Sequence, residues 1–289
     1  MAALLITSPR PNTVFTITDE PAWPAIRFQS NATLAAGQKL TWDWKLSWGT
    51  FSRQGKEIIA TSNLWDAQSV LFQSLTGGVI TNLGGQLTVR VTGPGGTNSV
   101  TVKIIGTNPS SAAILAFLAA QPDSRGFDAI LQHESGMKHF NAQGDPIKSF
   151  DNGFGICQLT SPAPTFEQVW NWKLNIAGGL ALFATKRASA NAYLSQSGRT
   201  FTQDQLIREA VCRWNGGAYH AWNGKAWVRP TTILCDTQTG NIGWDMTNPA
   251  NTGKTEAQLR ARDKGTYGSP SSPHDWQYSG VCYADRILG

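Results

Sequence analysis

The sequence predicts an α+β chain in two parts, a β-rich first third followed by a mainly α remainder. Three observations point that way. Residues 40–48 (LTWDWKLSW) alternate apolar and polar side chains with the period of a half-buried strand. Beyond residues 107–111 (TNPSS) the spacing of apolar residues changes to a helical one. At 289 residues the chain exceeds what one ordinary hydrophobic core serves, so two domains are expected.

In chain order, residues 14–19 (VFTITD) and 25–31 (AIRFQSN) read as short strands. Residues 40–48 then put Leu40, Trp42, Trp44, Leu46 and Trp48 on one face, and residues 57–62 (EIIATS) read as a further strand. Residues 86–92 (QLTVRVT) and 99–106 (SVTVKIIG) flank the turn-rich GPGGTN and read as a glycine-linked hairpin. Short strands at this spacing make residues 1–106 an immunoglobulin-like β-sandwich. The tryptophans share one alternating face, which predicts core packing; stacking on sugar rings is the alternative use of such rings. The linker TNPSS carries turn and cap residues. After it, residues 111–121 (SAAILAFLAAQ), a stretch from 123 or 124 through 134, residues 175–196 and residues 202–215 read as helices, so 107–289 form the second, mainly α domain. Residues 266–275 (TYGSPSSPHD) read as a loop.

Composition bounds the function. Hydrophobic residues at 40% and charged residues at 15% fit a folded protein, and the net charge of +5 suits an anionic partner such as a cell-wall polymer, a membrane surface or nucleic acid, and equally well ordinary solubility. No Lys/Arg run and no recognised binding motif points to nucleic acid. The N-terminal MAALLITSPR has no basic leader and no long apolar core, so no Sec-type signal is read there, and no segment predicts membrane insertion. Cys157, Cys212, Cys235 and Cys282 match no CxxC metal pattern and allow three disulfide connectivities. His133 and His139 have no ligand pair at helical spacing, so they read as solvent or core histidines; no metal and no cofactor is expected. A Cys157 or Cys212 nucleophile lacks a partnered histidine.

Chemistry concentrates around one carboxyl. In residues 127–140 (FDAILQHESGMKHF), Glu134 lies near Ala129, Ile130 and Met137 at helical or near-helical spacing, at the edge of an apolar face. A lone helix glutamate is usually a solvated one. A general acid working near neutral pH, however, needs apolar neighbours that disfavour ionisation. Residues 151–160 (DNGFGICQLT) follow, with glycines that let a polymer approach closely and the amide of Gln158, which both donates and accepts. NIAGG (175–179) opens a helix, CRWNGG (212–217) ends one, and YSGVCYADRIL (278–288) is a terminal helical segment. Singly these read as turn, close packing, cap and core.

Together and in this order the blocks resemble the lysozyme-like superfamily, specifically soluble lytic transglycosylases and goose-type lysozymes, over residues about 111–289. Glu134-Ser135 resembles the family's Glu-Ser catalytic motif, and Gly153-Phe154-Gly155-Ile156-Cys157-Gln158 its Gly-Phe-Gly-Leu-Met-Gln loop. Asn175 with Ala177-Gly178-Gly179 is similar to its Asn and Ala-Gly helix motif, Trp214-Asn215-Gly216-Gly217 to Tyr-Asn-Ala-Gly, and residues 283–287 (YADRI) to its late Tyr-containing helix. Cys157 stands where Met is usual and Trp214 where Tyr is usual, and residues 224–272 form an insertion that could serve as a lid or a subsite wall.

The resemblance implies cleavage of the β-1,4 bond between N-acetylmuramic acid and N-acetylglucosamine in peptidoglycan. Glu134 is then the general acid, while Ser135, Gln158, Trp214, Asn215 and Tyr283 hold the substrate or the acid. Two outcomes compete. A hydrolase needs a second carboxylate, about 6.5–9.5 Å away if inverting, to activate water; Asp151 is the first choice and Asp145 the next. Goose-type lysozymes carry a further acidic residue after the loop's Gln, where this chain has Thr160, and Asp151 reads equally well as a turn residue. A lytic transglycosylase needs only Glu134 and leaves anhydro-muropeptides. A non-catalytic wall-binding protein and a chitin- or chitosan-cleaving enzyme are the remaining alternatives. With no Sec signal read, the expected setting is an antibacterial effector or phage-type lysin, made in the cytoplasm and delivered to a target-cell periplasm by a secretion machine or phage tail, with an immunity protein as partner.

Overall fold

A computed structural model describes residues 2–60, 68–78, 80, 82–269 and 271–289. The chain mixes helices and sheets and divides into two compact units: Met1–Phe117 with Glu134–Gly178, and Leu118–His133 with Gly179–Gly289.

The first unit opens with β1 (Ile6–Ser8), β2 (Val14–Ile17), β3 (Arg27–Ser30), β4 (Lys39–Trp48), β5 (Phe51–Ala60), β6 (Ser69–Leu71), α1 (Phe72–Leu75), β7 (Gly85–Gly93) and β8 (Gly96–Gly106). Five strands form a sheet in the order β2-β8-β7-β4-β5, antiparallel except for β2 beside β8, and β1-β3-β6 form a second, antiparallel sheet. The alternation in β4 fits its place as an interior strand with one buried face, between β7 and β5. Trp42, Trp44 and Leu46 sit opposite Val91, Val89 and Leu87 of β7, and all six are buried. Trp42 and Trp44 are therefore core residues and no sugar platform, and the Trp44 indole donates to Leu75 O at 3.2 Å. Phe28 of β3 and Val70 of β6 join the same core from the second sheet. The expected strand at 57–62 is the end of a longer β5; residues 61 and 62 lie outside the described residues.

The core does not close at residue 106. Phe140, Phe166, Val169 and Trp170 belong to the same buried cluster as the sheet residues. Gly106 makes this possible, because a Cβ there would stand 2.2 Å from the Phe140 ring. The first compact unit thus takes in residues 134–178, which the sequence assigns to the domain beginning at 107.

Beyond β8 come α2 (Ser111–Ala119), α3 (Phe127–Ser135), α4 (Phe166–Trp170), α5 (Trp172–Leu194) and α6 (Gln203–Asn215). Helix α3 starts three or four residues later than the sequence predicts, because Asp123 (φ 55°) and Gly126 (φ 88°) hold left-handed conformations that a helix start cannot contain. Helix α6 starts where its capping box says it should: Thr202 Oγ1 accepts from Gln205 N, and Gln205 Oε1 accepts from Thr202 N.

In the second unit the stretch read as an insertion is itself folded. It holds β10 (Trp227–Val228), which pairs with β9 (Ala221–Trp222) just before it, then β11 (Ile233–Cys235), β12 (Ile242–Asp245) and α7 (Glu256–Asp263). After it, β13 (Gln277–Tyr278) completes the sheet β11-β12-β13. Ile242, Trp244, Leu259 and Trp276 give it a core of its own. Cys235 is disulfide-bonded to Cys282 in the last helix, α8 (Gly280–Leu288), while Cys157 and Cys212 are free and buried. Among the described residues no helix is long and apolar enough to cross a membrane.

Candidate functional site

Glu134 occupies the last turn of α3 and is half-buried. The helix ends immediately after it, with Gly136 (φ 61°) and Met137 (φ 57°) both left-handed. The next side chain, Ser135, donates its hydroxyl to Ile156 O at 2.8 Å, which fastens the end of the helix to the glycine-rich loop.

Buried polar groups then fix that loop from the other side. His139 is fully buried; its Nδ1 accepts from Ile156 N at 3.1 Å, so Nε2 carries the proton and donates to Val169 O at 2.9 Å. Burial pushes the His139 pKa down to about 3, against a weaker upward pull from the Val169 carbonyl, and the ring is neutral. Asn175 is also fully buried. Its Oδ1 accepts from Cys157 N at 2.9 Å, and its Nδ2 donates to Phe154 O at 3.0 Å and Gln168 O at 3.1 Å. Gly155 lies between these two side chains. A Cβ there would stand 2.5 Å from His139 Cε1 and 2.7 Å from Asn175 Nδ2, and φ is 71°, so no other residue fits.

Gln158 is half-buried at φ 51° and donates its side-chain amide to Gly155 O at 2.6 Å, which turns one N–H back onto the loop. Asp151 stands exposed in a turn organised by Ser149, whose hydroxyl donates to Asp151 and accepts from Gly153 N at 2.8 Å. That hydroxyl, chiefly, holds the Asp151 pKa below the usual carboxylate value. Asp145 is engaged elsewhere, accepting from Lys103 Nζ at 3.1 Å.

The other three predicted site residues lie in the second unit. Asn215 ends α6 and is exposed. Trp214 is half-buried, edge-on to Phe127 at 5.5 Å and to Phe183 at 6.5 Å, so its ring packs with helix aromatics. Tyr283 in α8 is 2% exposed and edge-on to His133 at 5.0 Å. A cleft of about 550 Å³ opens at Asn215, with Gly216, Gly217, Thr232, Gln277 and Tyr278 among its walls. The structure therefore groups Glu134, Ser135, Asp151 and Gln158 in one unit, and Trp214, Asn215 and Tyr283 in the other.

Among the described residues no three His, Cys, Asp or Glu side chains come together as a metal site. The Cys212 thiol is pushed up to about 12, first by burial and then by Glu209, which leaves it protonated and unreactive. Sequence reasoning missed Glu209 itself, a fully buried carboxylate. It pairs with Arg213 at 2.9 Å and accepts from Tyr219 N, His220 N and His220 Nδ1, each at 3.0 Å. Its one signal was the i, i+4 spacing to Arg213. No family model matches the chain, and no curated protein and no solved structure matches it either.

Proposed function

We propose that this chain is a peptidoglycan-cleaving muramidase: an immunoglobulin-like β domain joined to a lysozyme-like catalytic part of the soluble lytic transglycosylase and goose-type lysozyme kind. The observation that carries the proposal is the setting of Glu134. It is half-buried at a helix end whose next residue bonds to a Gly-Phe-Gly loop, and that loop is held by His139 and Asn175. A carboxyl beside a rigid, close-approach loop has what acid-catalysed glycoside cleavage requires, a fixed donor and a fixed position for the sugar.

In this reading Glu134 gives its proton to the glycosidic oxygen between N-acetylmuramic acid and N-acetylglucosamine as an oxocarbenium-like transition state forms. Gln158 offers its amide to an N-acetyl or hydroxyl group. Asp151, held ionised, takes the proton of the attacking water. One observation favours the alternative, lytic transglycosylase outcome, in which the substrate's own hydroxyl attacks: the Ser149 hydroxyl that keeps Asp151 ionised also makes it a weaker base.

Glu134→Gln should abolish lysis of purified peptidoglycan with the fold retained, and near-normal lysis by that variant would remove Glu134 from its role. Mass spectrometry of the digest separates the two outcomes, reducing-end muropeptides for the hydrolase and anhydro-muropeptides for the transglycosylase. The physiological setting that fits is an antibacterial effector or lysin delivered to a periplasm and restrained in its producer by an immunity protein.

A further inference from the structure

We infer that the cleft beside β13 is a carbohydrate subsite, with the ring of Tyr278 as its platform; this rests on the peptidoglycan reading above and adds a residue to which that reading gives no role.

The cleft at Asn215 has a volume within the range of ligand sites, about 300–1,000 Å³. None of its lining residues carries a formal charge. Its exposed polar groups are neutral hydrogen-bonding ones, the amides of Asn215 and Gln277 and the hydroxyl of Thr232. Tyr278 stands among them 56% exposed. A neutral amide and hydroxyl wall beside an open aromatic ring suits an uncharged ligand with hydroxyl and N-acetyl groups and one apolar face. That is a sugar ring of the glycan strand, and not the charged peptide stem.

The ring is held in place before any ligand arrives. Tyr278 meets Trp276 edge-on at 5.1 Å, Trp276 is buried and stacked on His274 at 4.0 Å, and the Trp276 indole donates to Thr266 Oγ1 at 2.7 Å. Backbone pairing of β13 with β12 sets the strand, with Tyr278 opposite Ile242. Ile233, another lining residue, belongs to β11, which the Cys235–Cys282 disulfide ties to α8. An exposed aromatic ring supported in this way loses little conformational freedom on binding, so its contact area converts to affinity efficiently.

The test uses the full chain carrying Glu134→Gln, so that bound sugar is not turned over, and titrates it calorimetrically with N-acetylglucosamine trimer and hexamer. Adding Tyr278→Ala should weaken hexamer binding by about fivefold or more, the loss expected when an interface aromatic worth over about 1 kcal/mol is truncated. Adding Tyr278→Phe, which keeps the ring, should leave affinity as in the parent. Unchanged affinity in the Ala variant overturns the subsite, and so does an equal loss in Ala and Phe, because then the ring is not the platform. Wall lysis by the unmutated chain is the separate readout. Lysis with Tyr278-independent binding sinks the subsite alone; Tyr278-dependent binding without lysis sinks the muramidase reading alone.

Discussion

Replacing Asn175 by Ala tests the claim that buried amide chemistry, rather than loop composition, shapes the candidate site. The side chain makes three hydrogen bonds, and their loss is unequal. Cys157 N–H has Asn175 Oδ1 as its acceptor and is buried, so Ala strands it, at about 2 kcal/mol. Phe154 O keeps the Leu159 N–H at 3.1 Å, so losing the Asn175 bond there costs only the net value of one bond, about 1 kcal/mol, and the bond to Gln168 O adds about 1 kcal/mol more. The sum is about 4 kcal/mol, or a fall in Tm of roughly 8–16 °C at 2–4 °C per kcal/mol for a large domain. Thermal unfolding measures the total, and amide exchange at Ile156 and Cys157 localises it to the loop. Asn175→Asp should be no rescue, since it keeps the acceptor for Cys157 but turns a carboxylate oxygen toward two carbonyls. A fall in Tm below about 2 °C with Cys157 still protected would refute the reasoning.

Two further outcomes follow from the same geometry. His139 is neutral when folded because burial pulls its pKa from 6.5 to about 3, so the unfolded chain binds the extra proton between those values. Stability present above pH 6.5 should drain away as pH falls toward about 3, at up to ~1.4 kcal/mol per pH unit, and urea unfolding of His139→Gln should show a slope shallower by one proton; identical slopes count against the assignment. The Cys235–Cys282 bond closes a loop with a sequence separation of 47, for which chain entropy gives about 4 kcal/mol, so reduction should lower the melting temperature of the native protein. Peptide mapping without reductant should find that one linkage and leave Cys157 and Cys212 alkylated only after unfolding.

The sequence was most informative where one local rule acted alone. The alternation in residues 40–48 locates β4 and its buried face, and the helical spacing over 202–215 locates α6 to within one residue, because both patterns act on neighbours a few residues apart. What stayed illegible was decided by distant partners. β5 begins at Phe51 because its backbone pairs with β4 across a tight turn, although FSRQGK shows little apolar pattern of its own. The strands after residue 221 are two to four residues long, too short to leave a period. The candidate site divides in the same way. Glu134 and the loop were visible as residue types at fixed spacing, whereas the role of His139 as a buried neutral support appears only once Val169 and Ile156 are placed around its two nitrogens.

The backbone of this stretch carries strain that packing alone does not require. Left-handed conformations cost a non-glycine residue of order 1–3 kcal/mol and persist only where the surroundings over-determine them. Among the described residues seven such positions occur, and three of them, Met137, Asn152 and Gln158, lie in the 25 residues from Glu134 to Gln158. Asn152 is mild, since asparagine tolerates this region, but Met137 and Gln158 have no such excuse. Met137 turns the chain away just past Glu134, and Gln158 closes the loop onto Gly155 with its own amide. A stretch that served only to fill the core would relax to glycine or asparagine at these positions. If the Gln158 side chain serves the site proposed above, Gln158→Gly should relieve the strain and raise the melting temperature while lowering wall lysis; unchanged lysis would leave the strain without a function.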